Sequence, residues 1–434
     1  MTKHLLRLVL TAVLAVPALA LPWAPGQARL SLYFTGASDV YDGSPASFRS
    51  ETVMTFTLRD DGRDKDGFLY GVDVRSSAYP SLTGGGVRVS IFDAYVGGRI
   101  GGGAFTFRVG QLWLNEIGAL GSIGGVSLDA ALAKTGAGRL RLGLFAGLEP
   151  KIMDPGYESG ISKFGGYLTL EGEGMRRHVL GFVTIHDQSL VERSVVVFDN
   201  YVPVGHTFTL YEALEYDLKA PDGSNKGTLT YIFANARLTL LPGLELQAIY
   251  HRGLSIDRRT LSADILAGRP LDPKMVEGFL YESFGGRLTF RVLPGAQLSA
   301  GYSEDRTNMN DGTSRRWTFG LYAANALKTG FDLNISDWHM TSDVGSSSDS
   351  IYASLGKSLG RQVYLEGYYA SSISVFRFLG NGSYELLSYP RTNRLGMSSV
   401  LNILPSFTLL VTAESLSGDR FKEVRLMSGL SYRF

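Results

Sequence analysis

The stretch RLTFRVLPGAQLSAGYS, Arg287 to Ser303, decides the fold. Leu288, Phe290 and Val292 alternate with Arg287, Thr289 and Arg291. Beyond the Leu293-Pro294-Gly295 break, Leu298, Ala300 and Tyr302 alternate with Ser299, Gly301 and Ser303. Successive side chains of a β-strand point to opposite faces, so each half reads as a strand with one apolar face. Proline and glycine set the backbone of a tight turn between the halves, which makes the stretch a hairpin. The period recurs. Leu244, Leu246, Ala248 and Tyr250 alternate with Glu245, Gln247, Ile249 and His251. Trp317, Phe319 and Leu321 alternate with Thr318, Gly320 and Tyr322. Leu140, Leu142, Leu144 and Ala146 alternate with Arg139, Arg141, Gly143 and Phe145. Ile249 and Phe145 break the polar face, and from Phe164 to Val204 the alternation blurs, so that Thr184, Ile185 and His186 fit either face. A missed bulge would produce such a flip.

A soluble sandwich would bury the apolar face; a membrane barrel would turn it to lipid and keep a wet lumen. The turns favour the barrel. Tight turns recur at Leu241-Pro242-Gly243, Leu293-Pro294-Gly295, Lys328-Thr329-Gly330, Gly360-Arg361 and Pro405-Ser406. Longer polar links lie between them: Lys219 to Lys226, Asp257 to Glu277, Glu304 to Arg315, Ser342 to Ser348, Phe376 to Thr392 and Ser417 to Glu423. Short periplasmic turns and longer extracellular loops are the pattern of outer-membrane barrels. With both ends of the chain on the periplasmic side the strand number is even. The expected fold is all-β, a single antiparallel transmembrane β-barrel of about 22 strands, within roughly 18 to 24. The segments Ile373 to Phe378 and Ser383 to Leu387 read as one hairpin extended above the membrane.

Lys3, His4 and Arg7 precede the apolar run Leu8 to Leu21, and Ala18-Leu19-Ala20 fits a cleavage site. This is the pattern of a secretory signal peptide. A second site follows Gly26-Gln27-Ala28, and strand-like sequence begins at Arg29. The expected division is a signal peptide over 1–28, with a cut after 20 as the alternative, and a barrel over 29–434. No later run reaches the length of about 18 apolar residues that a membrane helix needs.

The chain of 434 residues carries a formal charge of +1, which offers no bulk attraction to nucleic acid. It has no cysteine, so a disulfide framework, a thiolate metal site and a covalently attached haem are excluded, and no cofactor is expected. Aromatic residues make up 11% and glycines number 53, a composition that strands with alternating faces and their turns would give.

The chain ends Val424-Arg425-Leu426-Met427-Ser428-Gly429-Leu430-Ser431-Tyr432-Arg433-Phe434, with apolar or aromatic residues at 424, 426, 430, 432 and 434. This resembles the C-terminal strand of bacterial outer-membrane porins and related barrels. The resemblance implies that Leu430, Tyr432 and Phe434 are read by the barrel-assembly machinery and that the partners include outer-membrane lipid. Trp113, Tyr302, Trp338, Tyr368, Tyr369 and Tyr432 fall near strand ends, where aromatic rings form girdles at headgroup level.

The alternation puts Arg75, Arg88, Arg108, Arg139, Arg141, Arg287, Arg291, Arg394, Arg425 and Arg433 on the lumen face. It puts Asp73, Asp129, Glu171, Glu245, Asp332, Glu366 and Glu414 there too. Such a wall either pairs its charges across strands or, with arginine in excess, prefers anions. Asp60 to Gly67 and Asp305 to Gly312 are rich in carboxylates and glycines, but neither matches a calcium loop and both read as solvated turns. No nucleophile and base share a face: His186 and Ser189 have odd spacing, and His251 and Ser255 run past Gly253 into a link. An enzyme is therefore not expected. The link Asp257 to Glu277 carries Leu261, Ile265, Leu266 and Met275 and reads either as folded into the lumen or as packed outside.

The expected function is passive diffusion of small hydrophilic solutes. Barrels of this size are wide and usually plugged, and no plug domain is expected before Arg29. Loops must narrow the lumen, or the count is too high, or a periplasmic or lipid-anchored partner fills it. The last case would make the barrel a sheath for an export or electron-conduit component.

Overall fold

In the computed structural model the chain forms 22 strands in one sheet. The structure describes residues 27–433 except 42–46, 61–65, 80–85, 152–153, 220–223, 225, 309, 327, 381–382 and 419–420. Residues 1–26 of the expected signal peptide (1–28), the middle of the Asp60–Gly67 link and Phe434 lie outside the described residues, as do the side chains of Gln27, Tyr41, 118–120, Asn310, Asp311 and 376–390.

The first strands are β1 (Gln27–Tyr41), β2 (Ser47–Asp60), β3 (Gly67–Tyr79), β4 (Gly86–Ile100), β5 (Phe105–Trp113), β6 (Ser122–Thr135) and β7 (Gly138–Pro150). Then come β8 (Tyr157–Glu171), β9 (Arg177–Asp187), β10 (Leu190–Val204), β11 (Phe208–Asp217), β12 (Thr228–Leu241), β13 (Leu244–Ser255) and β14 (Phe279–Leu293). The last are β15 (Ala296–Thr307), β16 (Asn310–Ala326), β17 (Phe331–Ser342), β18 (Ser347–Leu359), β19 (Val363–Gly380), β20 (Ser383–Leu404), β21 (Phe407–Ser417) and β22 (Phe421–Arg433). The link between β13 and β14 holds two helices, α1 (Arg258–Leu266) and α2 (Pro273–Glu277).

Each strand pairs antiparallel with its neighbours in sequence, for example β12 with β13 and β13 with β14. β1 pairs with β22 from Arg29↔Arg433 to Tyr41↔Phe421. The meander is thus closed, and closure leaves no sheet edge unpaired. β1 begins at Gln27, two residues ahead of the expected start, because Gln27 and Ala28 continue the ladder opposite Arg59 and Leu58.

Both described chain ends lie at the same end of the barrel, with the tight turns. Gly243 (φ 88°) and Gly295 (φ 84°) occupy the left-handed backbone there, which a side chain would strain. The opposite end carries the longer links, but fewer than expected. Glu304–Arg315, Ser342–Ser348, Phe376–Thr392 and Ser417–Glu423 do not form long loops. Most of their described residues extend the strands, so β19 and β20 reach 18 and 22 residues and meet in a hairpin ending at Gly380↔Ser383. Polar composition marked them as loops, whereas a strand rising clear of an apolar belt is polar on both faces.

One face of the sheet is apolar around the circumference. Leu144, Leu246, Leu288, Phe290, Leu298, Phe319 and Leu426 are all exposed. Such a belt suits hydrocarbon. Glu212 and Asp337 interrupt it. Glu212 accepts a hydrogen bond from Asn200 (3.0 Å), and Asp337 has no hydrogen-bond or ion-pair partner among the described residues.

The other face is the inner one. On β9, Leu180 and Phe182 are exposed while Val179, Gly181 and Val183 between them are buried. What covers them is the β5–β6 link. Its 3-10 turn, Asn115–Leu120, carries Ile117, only 1% exposed, against β9. β7 and β8 lie between, so the link crosses the concave side. Ile117, Leu112, Leu114, Phe145, Tyr167, Val183, Val195 and Val197 belong to one buried cluster. This explains the blurred alternation: beneath an inward-folded segment, the inner face is apolar as well. Ile185 is on that inner face, and Thr184 and His186 are outside, aligned with Phe164 and Ser162. The register shift lies one strand on, between Val191 and Arg193 of β10.

Candidate functional site

The lumen has a packed side, β3 to β10, and an open side, β12 to β19. The expected wall charges all have the parity of the inner face, and their surroundings differ between the two sides.

On the packed side Asp129 of β6 is 3% exposed and is the centre of a network. It accepts from Arg141 (3.1 Å), Tyr167 Oη (2.9 Å) and Arg108 (3.4 Å). Arg141 also approaches Glu171 (3.8 Å), which stands opposite Arg139 in the ladder. Arg108 lies 5.9 Å from the Tyr95 ring. Asp73 faces Asp93 across the β3–β4 ladder; Asp93 is engaged by Arg59 (2.5 Å) and by the Trp113 amide (2.6 Å). Arg75 stands opposite Ser90, and the Arg88 guanidinium is 5.8 Å from the Tyr79 ring.

At the seam, Glu414 of β21 binds Arg425 (3.2 Å) and Tyr368 Oη (2.8 Å) and approaches Arg394 (3.9 Å). Arg425 also pairs with Glu423. Glu366 accepts from Tyr352 (3.3 Å), and Asp332 from the Asn325 amide (2.9 Å). Arg433 ends the inner row opposite Arg29. Two expected girdle residues belong here instead: Tyr368 binds Glu414, and Trp338 has Arg316 5.9 Å from its ring. Both have the inner parity, which closeness to a strand end did not reveal. Trp113, Tyr302, Tyr369 and Tyr432 have the outer parity. Leu430 and Tyr432 face outward on β22, Tyr432 with its ring 6.4 Å from Phe407.

The open side carries polar grooves. Arg287 and Arg291 of β14 make no ion pair among the described residues, while Arg237 pairs with Glu245. A groove of ≈ 680 Å³ runs past His206, Arg237, Gln247, Arg287, Thr289 and Arg291. A second, of ≈ 570 Å³, shares Arg287 with it and continues along Ser299, Arg316, Thr318, Asn334, Ser336 and Trp338.

The link between β13 and β14 folds inward, the first of its two readings. α1 packs on β10, with Leu261 only 1% exposed. Arg193 of β10 binds Asp217 (2.8 Å) and Glu215 (2.5 Å), and Arg258 of α1 binds the same Asp217. Arg259 reaches Glu149 (3.3 Å) and Glu192 (3.2 Å). Asp257 caps α1 by accepting from the Thr260 amide (3.1 Å) and hydroxyl (2.7 Å), and these bonds hold its carboxyl below the usual aspartate value. At the opposite end Asp66 accepts from the amides of Gly102 (2.8 Å) and Gly103 (3.1 Å), which lower its carboxyl likewise and tie two turns together.

The α1 network was missed by sequence reasoning. Its members stand 24, 41 and 110 residues apart, and no spacing rule links them. Arg316 was within reach, since it precedes Trp317 and so falls on the polar face. Of the weak His–Ser pairs, His186 stacks on Phe164 (5.2 Å) outside the barrel, and His251 faces the lumen among aromatic rings. Asp305 binds Tyr281 Oη (2.9 Å), and Asn308 accepts from the Leu280 amide (2.9 Å), so this carboxylate-rich stretch braces a hairpin.

No protein-family model matches the chain, and no curated protein does. Among solved structures it is similar to OccAB4 of Acinetobacter baumannii, at 10% identity and TM-score 0.43, over 95% of this chain and 99% of that one. It is similar to OccK10 (OpdN) of Pseudomonas aeruginosa, at 12% identity and TM-score 0.43, over 95% and 99%. It is also similar to the translocation pore of the P pilus usher PapC, at 10% identity and TM-score 0.43, over 93% and 99%.

Proposed function

We propose that the protein is a bacterial outer-membrane channel through which small hydrophilic solutes diffuse. One observation carries this reading: the barrel is apolar outside, while its inner wall from β12 to β19 is polar and grooved by Arg287, Ser299, Thr318 and Ser336. An apolar exterior with a wet, charged interior is the arrangement of a pore wall. The inward link and α1 narrow the lumen with the chain's own residues, which favours a channel over a sheath around a partner. Since Arg287 and Arg291 are unpaired among the described residues, the groove between them carries net positive charge and favours anions.

The test is reconstitution of the purified barrel in a planar lipid bilayer. Discrete, steady current steps are expected. A salt gradient should give a reversal potential on the anion side, and Arg287→Glu with Arg291→Glu should move it toward cations. A folded barrel that conducts nothing would overturn the channel reading.

A further inference from the structure

Toward the end with the longer links, the otherwise polar inner wall of β11 to β14 carries an aromatic patch where nothing in the fold requires one. On the packed side, apolar inner residues are sealed, as with Val183 at 0% exposure. On β12 and β13, Phe233, His251 and Ile249 have the inner parity, and Ile249 is 36% exposed. Phe233 stands directly opposite His251 in the ladder, and Tyr231 opposite Gly253, which in turn stands opposite Tyr281. The His251 ring lies 5.5 Å from Tyr231, 6.2 Å from Phe233 and 5.5 Å from Tyr281, and Tyr211 lies 5.7 Å from Phe233. Gly253 has no side chain of its own, and the His251 ring lies against that position: a Cβ there would meet only this ring, at 3.6 Å. Neighbouring strands are about 4.8 Å apart, so Tyr231 and Tyr281 stand about 10 Å apart along the wall, with the His251 ring between them at 5.5 Å from each. The three rings form one continuous aromatic row on the inner face.

The flanks are charged but balanced. Asp199 accepts from Tyr211 Oη (2.8 Å), and Arg177 stands one ladder step away opposite Tyr201. Asp305 accepts from Tyr281 Oη and has Arg316 at 3.7 Å. Two carboxylates and two guanidiniums give no net preference for a charged ligand, but offer acceptors and donors side by side. A ligand matched to this is neutral, with an apolar ring face and hydroxyls around its rim. We propose that this wall is a stacking subsite for neutral sugars, entered before the arginine groove. The proposal deepens the channel reading and rests on its open lumen.

The test is binding of cellotriose, a neutral trisaccharide, to the purified barrel in a detergent without a sugar headgroup, by equilibrium dialysis and saturation-transfer NMR. Saturation should pass to the ring C–H protons. Phe233→Leu with His251→Gln keeps side-chain volume but removes two stacking faces and should weaken binding about fivefold. Tyr281→Phe keeps the ring and should weaken it less. Equal binding by the double variant, no binding by the parent, or tighter binding of benzoate or benzyltrimethylammonium than of cellotriose would each overturn the proposal. Conductance is recorded separately. A conducting barrel that ignores cellotriose removes the sugar subsite alone, and a silent barrel that binds it removes the channel alone.

Discussion

Ile117 lies on Gly181: a Cβ at Gly181 would come within 2.8 Å of Ile117 Cγ2. The two residues belong to elements separated by two strands, so this contact fixes how far the β5–β6 link enters the lumen. Ile117→Ala should cost about 2–5 kcal/mol of stability, as other buried isoleucine truncations do. It should also free the link, and larger current steps in a bilayer are the readout. Gly181→Val should act in the same direction by pushing Ile117 away.

Arg193 holds Asp217 and Glu215 in a site where Asp217 is 1% exposed. Arg193→Leu leaves Asp217 with Arg258 and the Thr230 hydroxyl, and takes from Glu215 its Arg193 ion pair. Removing one partner of a buried pair typically costs about 3–5 kcal/mol. The loss should appear as a lower urea midpoint and as faster hydrogen exchange in α1, and Arg193→Leu with Asp217→Leu should recover part of it.

Asp257 gives α1 an acid limit. Its folded carboxyl titrates below the ordinary 3.8, so the cap contributes fully above that value and is lost as pH falls through the lowered one. Hydrogen exchange in residues 258–266 should therefore accelerate in strong acid. Asp257→Asn keeps a capping oxygen without a titrating group and should remove Asp257's share of that dependence.

Glycines inside strands hold tyrosine rings. A Cβ at Gly143 would lie 2.1 Å from Tyr167 Cζ, one at Gly396 2.2 Å from Tyr368 Cζ, and one at Gly71 2.3 Å from Tyr95. In each case the tyrosine stands directly opposite the glycine in the ladder. Gly143→Ala and Gly396→Ala should each cost about 1–3 kcal/mol through overpacking, measured by denaturant midpoint. They should also disturb the Tyr167–Asp129 and Tyr368–Glu414 bonds.

Asp337 stands on the outer face between Phe319 and Ile351 with no hydrogen-bond or ion-pair partner among the described residues. A carboxylate facing hydrocarbon is unfavourable. Asp337→Leu should raise the unfolding midpoint in lipid vesicles, and a lower midpoint would show that Asp337 has a partner in the membrane.

The barrel and the gathering of its tight turns at one end were legible because Leu288, Phe290 and Val292 fall on the apolar face at every second position and Pro294-Gly295 closes their hairpin. The inner charges were legible by the same parity, from Arg75 to Arg425. Their partners were not, because neighbours such as Arg108 and Asp129 meet through strand register, which no local motif encodes. Phe145 and Ile249 looked like the same defect in the pattern. Phe145 is covered by the inward link, whereas Ile249 faces the open lumen, and only the path of distant segments distinguishes them. The long hairpin of β19 and β20 was legible as an extension, but the strands around Glu304–Arg315 were hidden by their polarity.

Arg29 Nε donates to Ser431 Oγ at 3.0 Å, across 402 residues of sequence. This seam means that no part of the wall is finished until the last strand arrives. A nascent chain carries two open edges throughout synthesis, and contacts of such separation form slowly. Loss of β22 would therefore remove more than one strand: it would leave a sheet that cannot become a tube, with edges free to pair with other chains. Once the seam is shut the reverse holds. Fraying has no end from which to start, and the molecule persists through the height of its opening barrier rather than through any one contact.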